Sequence, residues 1–294
     1  MPFSYAEMTV RNLGFLSASE QARLRDGVAF VCGTGGMGGA CIMALARAGV
    51  GHLILADIDS FDVANLNRQV FAFSDTLGRP KAEATAEVLG RINPGIGLSV
   101  LGAEWTDQVQ ALVERAGVVV NGTDDLGASL LLYRTARAVG RTVIDAYAGP
   151  LPSVYVTRAG DIPHERRLRY LTEGTPWDQI TPAQRRQALL AEALHVVVHS
   201  SSRHHVDMAL EAEVIAGRRP RMSFAPMVIT TGQLMAYEAI AALTGRKHGA
   251  DSRGWFLNPY RGRVERPWPA PVAALLRPLV MRALVRMAGD GGGA

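Results

Sequence analysis

Short apolar runs alternate with segments of helical periodicity through the first half of the chain. The runs are typical of buried parallel strands and predict six strands: Val28–Cys32, His52–Asp57, Leu98–Leu101, Val118–Asn121, Thr142–Ala146 and Ser153–Thr157. The segments between them predict four helices: Met37–Ala48, Lys81–Ile92, Gln108–Arg115 and Ser129–Val139. Strands that alternate with helices over short joints indicate a doubly wound α/β fold, in which helices cover both faces of a mostly parallel sheet.

The alternation stops after the sixth strand. Residues 161–221 are rich in arginine and mostly polar, with a helical piece at Pro182–Leu194, and we interpret them as a crossover or capping segment. A long apolar helix is predicted at Phe224–Leu243. Two strand-like pieces follow it, Trp255–Leu257 and Arg263–Glu265.

The last segment, Val272–Ala288, mixes aliphatic residues with arginine. It is compatible with a helix on a membrane surface, or with a terminal helix that packs on the body or on a partner subunit. Pro278 is expected to weaken any long regular helix there. No apolar run reaches the ~20 residues that a transmembrane helix needs. The pattern as a whole predicts a core at 1–160, a divergent crossover segment at 161–222, and a part at 223–294 that completes the same domain.

Composition and charge narrow the choice of function. Hydrophobic residues make up 48% of the 294 residues and charged residues 20%, which is typical of a globular protein. The formal net charge is only +4, and arginine supplies nearly all the basic residues, so no DNA partner is expected. The first ten residues carry no secretory signal, and two cysteines are too few for a disulfide framework. A cytoplasmic location follows.

A glycine-rich loop follows the first predicted strand and opens the first predicted helix. Gly33, Gly35 and Gly38 fit the pattern G-x-G-x-x-G, and Gly36 adds a further glycine inside it. Glycines let phosphate oxygens approach backbone N–H groups, and a helix N-terminus favours negative charge. Asp57 ends the second strand, where an acidic side chain can bind a ribose hydroxyl. The core at 1–160 is therefore predicted to bind a nucleotide, although this unit alone fits NAD or FAD equally well.

Polar residues between Asp57 and Lys81 discriminate between these nucleotides. They are Asp57, Asp59, Asn65, Arg68, Gln69, Gly78 and Lys81. A dehydrogenase has no need for such a cluster beside the phosphates, whereas ATP carries a triphosphate whose charge must be neutralised during attack at the α-phosphorus. Cationic side chains and magnesium supply most of the catalysis of that step.

The order of these motifs, with Ile92-Asn93-Pro94 and Thr123-Asp124 after them, resembles the ThiF/MoeB/HesA family of ubiquitin-activating-enzyme-like proteins. The resemblance covers about Arg11 to Tyr155 and continues more loosely over Phe224 to Gly245. It implies a Rossmann-like fold, a homodimer, and ATP- and Mg²⁺-dependent adenylyltransferase activity. Such an enzyme activates a carboxylate as acyl-AMP and releases pyrophosphate.

The resemblance also implies a role for each matching residue. The four loop glycines would belong to the ATP-binding site, and Asp57, with Asp59 nearby, would bind the ribose. Asn65, Arg68 and Lys81 would bind its phosphates, and Gln69 would support them. Asp124 would hold magnesium, and Arg11 would reach across the homodimer to the γ-phosphate of the ATP that is bound to the other subunit. Arg11, Arg68, Lys81 and Asp124 are thus the expected catalytic residues.

Three alternatives to these roles stay open. Asp59 could cap a turn, Arg68 could form a surface ion pair, and Asp125 could replace Asp124 as the magnesium ligand.

The sequence departs from the family in its cysteines. The two C-x-x-C pairs with which many relatives bind zinc are absent, so no zinc is expected. Residues 156–294 contain no cysteine that could accept an acyl group, and Cys32 and Cys41 fall in predicted core elements. The adenylate would therefore pass to an external nucleophile.

His195-Val-Val-Val-His199, with His204 and His205 after it, raises the question of a substitute metal site. Three successive valines favour a strand, so an acyl-binding role or plain surface histidines are the preferred interpretations.

Several functions compete. The leading hypothesis is adenylation of the C-terminus of a small ubiquitin-like protein or a peptide. The alternatives are activation of a small molecule or a tRNA base, as in the dehydratase branch of this superfamily, a NAD or FAD oxidoreductase, and a non-catalytic partner subunit. Residues 161–221 are expected to form the acyl pocket.

Overall fold

A single eight-stranded sheet organises the molecule, as seen in a computed structural model that describes residues 2–147 and 149–290. Its strands are β1 (Val28–Cys32), β2 (His52–Ala56), β3 (Gly97–Leu101), β4 (Val118–Asn121), β5 (Val143–Asp145), β6 (Ser153–Thr157), β7 (Trp255–Asn258) and β8 (Arg263–Glu265). Their order across the sheet is β3-β2-β1-β4-β5-β6-β7-β8. The first five strands run parallel, and the last three join them antiparallel.

Eleven α-helices surround this sheet in the described part of the chain. They are α1 (Tyr5–Thr9), α2 (Ala18–Asp26), α3 (Gly36–Ala48), α4 (Lys81–Ile92), α5 (Trp105–Arg115), α6 (Leu126–Ala138), α7 (His164–Leu168), α8 (Pro182–His199), α9 (Met208–Ile215), α10 (Ala225–Thr244) and α11 (Ala270–Asp290).

Both faces of the parallel sheet are buried under helices. Alternate residues of β1 point to opposite sides: Ala29 and Val31 pack in the core that contains α3, α4 and α10, whereas Phe30 and Cys32 pack in the core that contains α5 and α6. This two-sided burial explains why the parallel strands have continuous apolar runs. The predicted doubly wound α/β fold is confirmed.

The helices α3 and α10 lie unusually close together. A Cβ atom on Gly232 of α10 would lie 2.5 Å from both Ala40 Cβ and Met37 O of α3. Only glycine allows the two backbones to approach this closely, so α10, which comes late in the chain, is fixed against the helix that follows the glycine-rich loop.

The crossover segment is mostly helical and contributes α7, α8 and α9. Its apolar residues, with those of β6 and β7, form a third core that includes Tyr147, Tyr155, Leu168 and Phe256. The strands β7 and β8 extend the sheet built by the first half of the chain. The boundaries proposed at residues 160 and 222 stay a prediction.

Two expectations about the second half are wrong. The valines between His195 and His199 lie in α8, not in a strand, because the amphipathic helix that starts with a Thr181 capping box continues through them. The helix α11 continues through Pro278. Pro278 deprives the carbonyl of Ala274 of its partner, but Ala274 is exposed, so water can satisfy that oxygen.

No helix of the described residues is both long enough and apolar enough to cross a bilayer.

The close α3–α10 contact leads to a stability prediction with a matched control. Gly232→Ala should lower the free energy of unfolding by about 1–3 kcal/mol, because overpacking outweighs the gain in helix propensity. Gly90→Ala, in α4 with no atom within 4 Å of the new Cβ, should raise it by about 0.5–1 kcal/mol. Urea unfolding followed by circular dichroism measures both changes, and equal effects of the two substitutions would contradict the packing argument.

Candidate active site

The glycine-rich loop joins β1 to α3 in a conformation that needs glycine at three of its four glycine positions. Gly33 has φ of +91°, in the left-handed region. A Cβ on Gly36 would lie 2.6 Å from Val228 Cγ1, and one on Gly38 would lie 1.9 Å from Gly33 O. At Gly35 the nearest atom, Gln69 Nε2, would be 3.5 Å away. The loop is thus closely packed at Gly33, Gly36 and Gly38, whereas a side-chain carbon at Gly35 would make only an ordinary contact with Gln69.

No side chain caps the N-terminus of α3. The first N–H groups of this helix consequently point away from the helix without an intrahelical partner, and the helix dipole adds partial positive charge. The loop can therefore bind an anion.

Asp57 links this loop to the end of β2. One oxygen of its carboxylate accepts hydrogen bonds from Thr34 N at 2.7 Å and Thr34 Oγ1 at 3.0 Å. The other accepts from Asp59 N at 2.9 Å. Asp57 therefore holds the loop in place, and its Oδ1, which accepts one hydrogen bond, retains acceptor capacity for a ribose hydroxyl.

Lys81 is held at the first turn of α4 by an ion pair. Its Nζ lies 2.8 Å from Asp59 Oδ2, and its backbone N donates to Asp59 O at 2.8 Å. The lysine side chain is 9% exposed and the Asp59 side chain 62% exposed. Asp59 therefore pairs with Lys81, which decides against a role limited to capping a turn. An ammonium group held in this way is positioned to meet a polyphosphate.

Arg68 and Gln69 flank the glycine-rich loop. Arg68 Cγ would be 3.9 Å from a Cβ on Gly36, and Arg68 Nη1 donates to Ala64 O at 2.6 Å and Asn67 Oδ1 at 2.9 Å. No ion pair of Arg68 occurs among the described residues, so its charge is not neutralised there. Gln69 Oε1 is buried without a hydrogen-bond partner in that same part of the chain. Such an orphaned oxygen beside the loop fits a site that binds a ligand or water.

Asn65 has a mainly structural position. It is 7% exposed, and its Oδ1 accepts from Asp62 N at 3.2 Å in a capping box. Its side chain thus fixes the turn from which Arg68 and Gln69 project.

The two aspartates after β4 differ in their contacts. Asp125 caps α6 through Ala128 N at 2.8 Å and forms an ion pair with Arg185. Asp124 is exposed and has no hydrogen bond or ion pair with any described residue. Gly122, two residues before Asp124, contacts the glycine-rich loop, since a Cβ on Gly122 would lie 2.6 Å from Gly33 O. Asp124 is therefore the better placed carboxylate for a magnesium ion, which binds proteins through one or two carboxylates plus phosphates.

Arg11 is not brought to the site of its own subunit. Its neighbour Asn12 donates through Nδ2 to Ala48 O at 3.0 Å, at the carboxyl end of α3. The 13-residue α3 separates that end from the glycine-rich loop by about 18 Å. Arg11 is exposed, and a role in catalysis requires it to act on another subunit.

Sequence analysis missed a buried carboxyl group at the same edge of the sheet. Asp145 ends β5, accepts from Tyr133 Oη at 2.8 Å and from Ala146 N at 2.7 Å, and is 4% exposed. Burial raises its pKa to about 7, and the hydrogen bond from Tyr133 only partly offsets this shift. The position could have been found by the rule that identified Asp57, since both residues end parallel strands.

A pocket opens beside this edge, between the chain that follows β5 and the crossover helices. Its walls include Tyr147, Val196, Met208 and Leu284. Glu192 also lines it and accepts from Tyr170 Oη at 2.8 Å, while burial raises the pKa of its carboxyl group. The pocket is mainly apolar. Because β4 lies between β5 and β1, the carboxyl end of β5 is two strand spacings, about 10 Å, from the end of β1 that leads into the glycine-rich loop.

His195 and His199 are buried in α8, so the interpretation as plain surface histidines is wrong for these two residues. Their ring centroids lie 4.6 Å apart. Burial lowers the pKa of both, that of His199 to about 4, and nearby arginines add to the effect. Among the described residues no group of three or more histidines, cysteines or carboxylates is arranged to hold a metal.

The two cysteines do not lie at the surface. Cys32 in β1 and Cys41 in α3 are free and buried, and burial raises the pKa of each thiol. A buried thiol of raised pKa is a poor nucleophile, as expected from the sequence.

The site thus combines a glycine-rich anion cradle, a buried lysine, an unpaired arginine and an exposed carboxylate at the carboxyl edge of a parallel sheet. This is where ligands bind in open α/β folds. The cations can neutralise several phosphate charges, and the carboxylate can bind a metal ion that bridges phosphates.

Comparisons with known proteins agree with this geometry. The ThiF family matches residues 9–272. The sulfur carrier protein ThiS adenylyltransferase of Escherichia coli (strain K12) is 33% identical over 129 residues, which are 44% of this chain and 51% of that relative. The tRNA threonylcarbamoyladenosine dehydratase of Haemophilus influenzae is 42% identical over 80 residues, 27% of this chain and 31% of the relative. The chain thus spans about half, or less, of the length of these curated relatives.

The fold also has a solved counterpart. A crystal structure of E. coli MccB with ATP superposes with a TM-score of 0.62 over 91% of this chain and 73% of that chain, at 16% identity. At this identity the similarity concerns the fold.

The raised pKa of Asp145 predicts how stability depends on pH. The reference pKa of this group is 3.8, so between pH 4 and 7 the folded protein keeps a proton that the unfolded chain has lost. The contribution of Asp145 to stability is therefore full at low pH and is lost as the pH rises to 7. Relative to Asp145→Asn, the wild type should lose roughly 2 kcal/mol of unfolding free energy between about pH 5 and pH 8. Urea unfolding at both pH values tests this, and a constant difference between the two proteins would contradict it.

Proposed function

The chain belongs to the ThiF family, and on this basis we propose that it is an ATP- and Mg²⁺-dependent adenylyltransferase, which activates a carboxylate as acyl-AMP and releases pyrophosphate. The main support is that Arg68 borders the glycine-rich loop, that Asp124 follows the Gly122 that contacts this loop, and that Asp59 holds Lys81 in place. These are the charges that a triphosphate and its metal require.

In this proposal the loop glycines and the N-terminus of α3 bind the phosphates, and Asp57, with Asp59 nearby, binds the ribose. Lys81 and Arg68 neutralise the phosphate charges. Asn65 and Gln69 support them from the turn between β2 and α4. Magnesium would supply further charge neutralisation, with Asp124 as the residue that holds it.

The reaction itself is a displacement at phosphorus. A carboxylate oxygen of the substrate bonds to the α-phosphorus, the bond from that phosphorus to the bridging oxygen of the β-phosphate breaks, and pyrophosphate takes the electron pair. Negative charge grows on the leaving group, so cations fixed beside it stabilise the transition state more than the ground state. No proton needs to be moved in this step.

The carboxylate substrate is proposed to be the C-terminus of a small ubiquitin-like protein or of a peptide. The E. coli relative whose name specifies a sulfur carrier protein supports this choice. The apolar pocket beside β5 would take the residues that precede the carboxylate. Because both cysteines are buried, the activated acyl group would pass to an external nucleophile such as an amine, water or a thiol on another protein.

A second candidate is activation of a small molecule or a tRNA base. The relative that acts as a tRNA threonylcarbamoyladenosine dehydratase favours it, through a short match of 80 residues. Mass spectrometry of the AMP adduct that the protein forms in a lysate distinguishes the two. An adduct on a peptide or protein C-terminus supports the first candidate, and an adduct on RNA or a metabolite supports the second.

The proposal includes a homodimer, since Arg11 can contribute only to the site of another subunit. A cytoplasmic location is part of the same proposal and rests on the two free thiols.

The two neighbouring aspartates provide a test with a built-in control. Asp124→Asn should reduce the affinity for ATP in the presence of Mg²⁺ on the order of tenfold or more, because the carboxylate that holds the metal is lost. Asp125→Asn should leave this affinity unchanged, since asparagine still caps α6, and should change stability by less than about 1 kcal/mol. Isothermal titration calorimetry measures both affinities.

The outcomes separate the competing functions. If the wild type binds no ATP in the presence of Mg²⁺, the proposal is wrong, and binding of NAD or FAD instead would identify an oxidoreductase. Equal effects of the two substitutions would remove Asp124 from its proposed role.

The dimer can be tested by mixing two inactive variants. Arg11→Ala and Asp124→Asn should each have little pyrophosphate exchange with the carboxylate identified from the AMP adduct. Random mixing of equal amounts makes half of the dimers mixed, and one of the two sites in each mixed dimer contains both wild-type residues. About a quarter of the wild-type activity should therefore return. Mixing without recovery, although mixed dimers are present, would show that Arg11 does not act across the interface.

A further inference from the structure

One face of the C-terminal helix α11 is buried against the body of the protein, and the opposite face is exposed and apolar. The buried face packs on Leu194 and Val198 of α8 and consists of Ala273, Leu276, Val280, Met281 and Leu284. We call the opposite face the outer stripe. It comprises Trp268, just before the helix, and Val272, Leu275, Leu279 and Arg282.

The apolar side chains of the outer stripe are well exposed and follow one another along a single helical face. Leu275 is 74% exposed, Leu279 61% and Trp268 51%, and the spacing of Val272, Leu275, Leu279 and Arg282 is that of one helical face. From Val272 to Arg282 the stripe runs about 15 Å along the helix axis, so it is a short linear surface of three turns. Several large apolar side chains exposed in one row indicate an interaction surface.

The charge around the outer stripe is one-sided. From Asp251 to Asp290 the sequence contains seven arginines and three acidic residues, and two of the arginines are paired, Arg253 with Asp251 and Arg263 with Glu265. Glu265 is 9% exposed and accepts hydrogen bonds from Ser201, so it contributes little negative charge at the surface. Arg266 and Arg282 are exposed near the two ends of the stripe. The surface therefore combines aliphatic residues, a tryptophan and the exposed positive charges of Arg266 and Arg282.

We propose that the outer stripe docks on an anionic membrane surface, with α11 lying in the plane of the lipid headgroups. Aliphatic side chains enter the boundary of the acyl chains, tryptophan favours the interface, and arginine pairs with lipid phosphates. The helix does not need to span the bilayer, in keeping with its hydropathy.

The charge pattern favours lipid over a second copy of the chain. A two-fold dimer through this surface would place the outer stripe against itself and bring its arginines together. Arg277 on the flank of α11 does not change this, since its side chain is half-buried and the arginines beside it, Arg167 and Arg169, are also positive. An anionic surface is the occupant that complements all of these charges at once.

Sedimentation of the full chain with vesicles tests the proposal. The bound fraction should be high with vesicles that contain phosphatidylglycerol, low with phosphatidylcholine alone, and should fall as salt is added. Leu275→Gln combined with Leu279→Gln should weaken binding on the order of tenfold, because two of the most exposed apolar side chains are lost. Arg282→Gln should weaken it less and should reduce its salt dependence.

Matched substitutions elsewhere serve as controls. Leu171→Gln, at a leucine 68% exposed, and Arg91→Gln, at an exposed arginine of α4, should leave vesicle binding unchanged. Thermal unfolding of each variant checks that it is folded.

Three results would overturn the proposal: no sedimentation with anionic vesicles, equal binding to neutral vesicles, or the same loss in the control variants. A dimer that the double leucine variant dissociates, measured by light scattering, would assign the stripe to a second copy instead.

Discussion

The structure depends on a contact between backbones at the carboxyl ends of β1 and β4. Gly33, Gly38 and Gly122 meet there so closely that a Cβ atom on any of them would lie within 2.6 Å of another backbone. This contact lets α3 start directly at the edge of the sheet, with its first N–H groups aimed outward. A side chain at any of these positions would push α3 away and open the anion cradle.

The charged residues of the site are arranged around that contact. The loop is tied to β2 by Asp57 through Thr34, and β2 leads into the turn that carries Arg68 and ends at Lys81. Asp124 follows Gly122 on the other side. Cations from one connection and a carboxylate from the other thus lie on opposite sides of one cradle. Each is held by a local hydrogen bond or a short link to a buried strand, so little reorganisation is needed when a polyphosphate binds.

Sequence alone predicted the parallel half well, because its signals are local. Buried runs such as Val118–Asn121 and the helix Lys81–Ile92 have the observed bounds, since strand burial and glycine positions are set within a few residues. The errors lie where tertiary contacts decide. Three valines favour a strand, yet packing of α8 on α11 keeps them helical, and Pro278 is tolerated because Ala274 faces solvent. Asp145 was overlooked although it lies at the carboxyl end of a predicted strand, the position that identified Asp57, because no motif follows it.

The second half of the chain differs from the first in how it uses polar groups. Around β5 and β6 they are buried: Arg167 donates to Tyr147 Oη at 2.5 Å, and its Nε and Nη1 are buried without a partner among the described residues. Asp145, whose pKa is raised by burial, lies in the same region. Buried polar groups that are only partly satisfied are costly, and a chain keeps them when they fix a specific arrangement. Tyr147, which accepts the hydrogen bond from Arg167, also lines the pocket beside β5, so these buried groups help to fix one wall of that pocket.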